Sequence, residues 1–221
     1  MLSDTLRRYL TATAGMALVA LGVAVSLRSD LGTSPISCPP AVLTLRYTGL
    51  TFGVFTWIVN FSFILVQIAL LRSRFRWADL MQIPAVLLFG LLCDAAIWLC
   101  QGLPADGYAL QLLWCLLSVV LTAVGLRVEI EGRAWMLSGD KTVAVVADVS
   151  RTPFSTVKIW FDVLLVVAAA LFALYAFGTP FGDGAHNVIR EGTLILALLT
   201  GLCMKLTDPL VLRLFRRGKS S

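Results

Sequence analysis

The sequence predicts an all-α membrane protein of six transmembrane helices, arranged as two inverted three-helix repeats that each carry a short re-entrant or interfacial half-helix. Three observations predict it: the composition, the spacing of apolar runs, and an internal match between the halves of the chain. The 221 residues are 58% hydrophobic and 14% charged, with a mean hydropathy of +0.87, whereas a soluble domain carries about a quarter charged residues. A bilayer core of roughly 30 Å needs about 20 apolar residues per helix. Residues 9–27, 52–71 and 108–126 meet this without any charged side chain. Residues 80–100 are interrupted only by Asp94, 159–177 only by Asp162, and 192–212 only by Lys205 and Asp208.

The first span follows Arg7 and Arg8. A cleavable signal peptide is the alternative reading, but its apolar core is shorter, about 7–15 residues. Residues 33–48 come next, partly apolar and too short to cross, and residues 138–150 occupy the equivalent place in the second half. Each begins with helix-starting residues, Thr33-Ser34-Pro35 and Ser138-Gly139-Asp140, so both are expected to be half-helices.

Basic residues set the expected orientation. With the N-terminus inside, fourteen of the eighteen lysines and arginines fall in cytoplasmic segments, and Arg28, Arg46 and Arg190 fall outside. Both termini are therefore expected in the cytoplasm. Had the half-helices crossed, Arg72, Arg74 and Arg76 would move outside and the bias would weaken. The same distribution accounts for the net charge of +5 without nucleic acid. Cys38, Cys93, Cys100, Cys115 and Cys203 are scattered with no paired or metal-ligand spacing.

The repeat rests on three matches in the same order. Leu27-Arg28-Ser29-Asp30 matches Leu126-Arg127-Val128-Glu129. The run 52–60 matches 154–162, which aligns Thr56 with Lys158 and Asn60 with Asp162. The run 89–94 matches 200–205, which aligns Asp94 with Lys205. The halves are 1–104 and 105–221. Three crossings per half invert the second relative to the first, and many secondary transporters bind substrate near the midplane between such repeats.

Ionisable groups at membrane depth cost a few kcal/mol each and should find partners in the interior. Asn60, Asp94, Asp162, Lys158 and Lys205 are the expected pathway residues. Asp94 and Lys205 form either a fixed salt bridge between halves or a pair exchanged during transport. Lys158 and Asp162 share a helix face and neutralise each other. Gln67 and Gln82 are expected to hydrogen-bond between helices, and Arg190 with Glu191 to pair at the start of the sixth span. At the half-helix starts, Thr33, Ser34, Ser37, Ser138, Asp140 and Lys141 either hold a polar solute or merely cap the helices.

His186, the only histidine, sits in a glycine-rich loop with no carboxylate, serine or cysteine spaced for a triad or a metal. No enzyme, no cofactor and no metal site is expected.

Asp30-Leu31-Gly32-Thr33-Ser34-Pro35, Phe89-Gly90 with Asp94, Ser138-Gly139-Asp140 and Arg190-Glu191-Gly192-Thr193 resemble the bacterial YczE/YitT-type integral membrane proteins. The resemblance spans nearly the whole chain. It departs at Ser138, where the commoner form of that family has proline. It implies a membrane fold and a transport role without naming a substrate. The expected function is a secondary transporter or exporter of a small solute, with a passive channel or a membrane scaffold as alternatives. The expected partners are the lipid bilayer and a small-molecule or ion substrate, with homo-oligomerisation left open.

Overall fold

The computed structural model describes residues 4–134 and 137–217, with the side chains of Ser73, Trp77, Ala78, Lys205 and 207–217 outside the described set. Eight α-helices occur among the described residues: α1 (Asp4–Ser29), α2 (Cys38–Arg46), α3 (Phe52–Leu71), α4 (Gln82–Cys100), α5 (Tyr108–Gly132), α6 (Ser138–Ser150), α7 (Phe154–Phe177) and α8 (Glu191–Arg217). The described residues contain no β-strand, only an isolated bridge between Gly182 and Asn187.

Five helices are long and apolar enough to cross a bilayer: α1, α3, α4 extended back to Asp79, α5 and α7. The expected sixth span corresponds to α8, whose residues Glu191–Met204 form an apolar helical stretch. Helices α2 and α6 have 9 and 13 residues. At 1.5 Å per residue they reach about 14 and 20 Å, less than a bilayer core. The expected half-helix at 33–48 is an extended Ser34, a 3-10 turn over Pro35–Ser37 and then α2. Prolines 35, 39 and 40 fall in its first turns, where a missing amide hydrogen removes no helical bond. The second half-helix is α6 over the expected residues.

The most extensive helix contact is between α1 and α5. Gly132 lies against Ala12, Glu129 against Gly15, Gly125 against Val19 and Thr122 against Gly22, so the two helices run antiparallel. A Cβ added at Gly15 would overlap the backbone nitrogen of Glu129. Small residues at every third or fourth position thus let two backbones touch, which is how helices associate where lipid removes the hydrophobic drive between them.

The other helices join this pair in matching ways. Helix α1 also packs on α4, and α5 on α8. Helix α2 lies on α3 and α7, while α6 lies on α7 and α3. The apolar core gathers Met16, Val23, Val42, Phe52, Phe89 and Cys93 from four of these helices. Its opposite is the lipid-sized apolar surface of α7, where Trp160, Leu164, Leu171 and Tyr175 are all exposed.

Two loops are stitched together at the end of α1. Thr33 N donates to Val188 O at 3.1 Å and Gly192 N to Leu31 O at 2.8 Å. The Asp30 carboxylate accepts from the backbone and side chain of Asn187 at 2.6 and 3.1 Å. Between them Gly32 has φ +110° and no space for a Cβ beside Thr193 and Arg190, so only glycine suits both the backbone and the approach.

Candidate functional site

The two half-helix starts meet. Ile36 of the first seats against Gly139 of the second, with Phe63 beside them, and the Phe63 and Phe161 rings lie 5.2 Å apart. Around this contact the structure arranges a neutral hydrogen-bond network on one side and a charge cluster with a cavity on the other.

The neutral network fastens α6 to α3. Ser138 Oγ donates to Asn60 Oδ1 at 2.6 Å, and Asn60 Nδ2 donates to Thr56 O at 2.8 Å. Gln67 Nε2 reaches Ser138 O at 3.1 Å and Thr142 Oγ1 at 2.9 Å. Gln67 and Gln82 exchange amide bonds of 3.1 and 2.9 Å, as expected from the sequence. All five side chains are buried, and each bond satisfies a group whose desolvation would otherwise cost about 1–3 kcal/mol. Thr56 Oγ1 is the exception, with no partner among the described residues.

The charge cluster lies at the start of α6. Lys158 Nζ stands 2.9 Å from Asp162 Oδ1 and 3.4 Å from Asp140 Oδ1. The i,i+4 spacing on α7 supplies the first pair, as the sequence indicates; the bond to Asp140 is tertiary. Lys141 pairs instead with Asp79 at 2.7 Å, a loop aspartate that sequence reasoning missed because its partner lies 62 residues away. Lys158 therefore serves two carboxylates, and the trio carries one net negative charge.

A cavity of about 740 Å³ opens beside Asp162. Its walls are one face of α7 (Ile159, Val163, Val166), the facing side of α8 (Leu194, Ala197, Leu198), and Pro35 from the first half-helix. Arg190 and Glu191 also line it, bonded to each other at 2.9 and 3.2 Å. The cavity thus combines aliphatic walls with a few charged groups, the usual make-up of a small-molecule site.

The first half-helix offers fewer donors than expected. The amides of Thr33, Ser37 and Cys38 already bond to Val188 O and Ser34 O. Thr33 Oγ1 lies 2.7 Å from Ser26 Oγ, and Ser34 Oγ donates to Ser37 Oγ at 2.9 Å. Asp94 lies away from the half-helix starts, at the beginning of α3. Its carboxylate accepts from Gly53 N at 2.7 Å and from Thr51 Oγ1 at 2.6 Å, while Gly53 and Gly90 let α3 and α4 touch. Lys205 lies in α8, its side chain outside the described residues.

The chain belongs to a family of unknown function (DUF6198), matched over residues 6–209. No curated protein and no solved structure matches it.

Proposed function

We propose that this member of the family is a secondary transporter or exporter of a small solute, working by alternating access between two inverted repeats in a bacterial cytoplasmic membrane, with both termini inside. One observation carries the proposal: among the described residues the helix contacts pair off between the halves of the chain except at one place, where the cavity opens. The antiparallel α1 and α5 occupy corresponding positions in the halves. The α1–α4 contact corresponds to α5–α8, and α2–α7 to α6–α3. The exception is the packed α3–α4 pair, whose counterparts α7 and α8 face each other across the cavity. A repeat closed in one half and open in the other is what alternating access requires of a single state. The sixth crossing in this reading is α8, and α2 and α6 are re-entrant.

Asp162 and Asn60 support the same reading. Each stands beside the half-helix of the opposite repeat, Asn60 bonded to Ser138 and Asp162 lining the cavity with Pro35. The closed side, around Asn60, Gln67 and Ser138, is joined by neutral hydrogen bonds. The open side has a net carboxylate among aliphatic walls, which favours a solute that joins an apolar body to a positive charge. Asp162 is the binding charge at the cavity wall, with Lys158 paired to it and to Asp140 behind it; no catalytic step or cofactor is assigned. The resemblance to YczE/YitT-type membrane proteins fits this reading.

The test is uptake by purified protein in liposomes, using a panel of labelled organic ammonium ions under a proton gradient or a membrane potential. Gradient-driven uptake that is lost in Asp162→Asn supports transport. Flux that ignores both gradients identifies a passive channel. No flux from either direction, with the fold intact, overturns transport in favour of a scaffold.

A further inference from the structure

Asp30 and Glu129 hold corresponding positions near the ends of α1 and α5, yet their carboxylates are treated differently. That of Asp30 is fully engaged by Asn187. Glu129 is only 6% exposed, and its Oε2 has no hydrogen-bond partner among the described residues. It lies one turn from the C-terminus of α5, where the carbonyl end of the helix dipole repels an anion, and its backbone is clamped against Gly15.

Its Oε2 accepts no hydrogen bond from a cation among the described residues. Arg8 of α1 donates instead to the carbonyls of Gly132 and Arg133. Arg127, on α5 itself, lies 3.4 Å from Glu131. From α6 the charge that acts on Glu129 is Asp140, another carboxylate. On α8, Glu191 is paired with Arg190, and the side chains of Lys205 and Asp208 lie outside the described residues.

We propose that Glu129 is a proton-binding site. The proton resides on the carboxyl while Glu129 is sealed between α1 and α5, and leaves when water reaches it. The coupling of this proton to solute movement rests on the transport reading above; the site itself does not. Asp140, whose charge bears on Glu129, also contacts Lys158, which pairs with Asp162 at the cavity wall.

The experiment is an infrared pH titration of the full-length protein in phosphatidylglycerol vesicles, with the proton as the only ligand. A protonated-carboxyl stretching band that shifts in D2O should be present in the native protein, absent in Glu129→Gln and retained in the loop control Asp183→Asn. A band that survives unchanged in Glu129→Gln overturns the site. Should Glu129→Gln fail to fold, Glu129→Asp keeps a carboxyl and must displace the band; an undisplaced band is equally fatal. The two readings fail separately. A Glu129 band without solute flux removes transport and leaves the proton site, whereas gradient-driven flux without the band does the reverse.

Discussion

Ser138 Oγ donates a 2.6 Å hydrogen bond to Asn60 Oδ1, which ties the first residue of α6 to the middle of α3. Both groups are buried, so neither has water as a substitute. Ser138→Ala should lower unfolding stability by roughly 1–3 kcal/mol, the penalty of leaving Asn60 Oδ1 unsatisfied. In an Asn60→Ala background the same substitution should have a much smaller effect, since the acceptor is gone. Denaturant unfolding in detergent measures both. Equal effects in the two backgrounds would show that the bond contributes nothing.

The α1–α5 interface tolerates no added atom at Gly15. Gly15→Ala pushes a methyl into the Glu129 backbone and should destabilise by about 1–3 kcal/mol. Gly49→Ala, with open space around it, should be near neutral. A thermal-shift comparison decides, and similar melting temperatures for the two variants would contradict the close packing.

Asp94 acts at the start of α3, accepting from Gly53 N and Thr51 Oγ1. Asp94→Ala removes this cap and should destabilise by about 0.5–2 kcal/mol, the ordinary range for losing one. Thr51 still accepts from Val54 N, which keeps the effect in the lower half. Faster hydrogen exchange at Gly53 is the specific sign; exchange unchanged from the native protein would count against capping.

The cavity makes a volume prediction. Val166→Trp places an indole in a space of about 740 Å³ and should block organic-cation flux while leaving the melting temperature within a few degrees. Undiminished flux would mean that the solute passes elsewhere.

One loop carboxylate supplies a pH dependence. Burial pushes the Asp183 carboxyl up, but the backbone amides of His186 and Ala185, with the charge of His186, outweigh it and hold it below its ordinary value. The amide bonds are 2.7 and 3.0 Å. A depressed carboxylate stabilises above its unfolded pKa of about 4, and that contribution disappears as pH falls through the lower folded value. The Ala185 and His186 amide resonances of ¹⁵N-labelled protein should shift in that acid window. A shift only outside that acid window would refute the assignment.

The sequence by itself determined the membrane class, the long apolar helices and the local pairings. Hydropathy depends only on which side chains are consecutive, so five spans and the extent of α6 were legible, as was the apolar start of α8. The Lys158–Asp162 and Arg190–Glu191 pairs were legible because four residues, or one, fix their proximity. The tertiary structure alone decided the rest. Lys158 reaches Asp140, Lys141 reaches Asp79, Asp94 caps α3, and Glu129 lies buried against α1. Each of these depends on where distant helices cross, which residue spacing does not encode. Asp94 shows the reason most directly: the internal sequence match aligns it with Lys205, but its hydrogen-bond partners are Thr51 and Gly53, brought to it by the close contact that Gly53 and Gly90 permit.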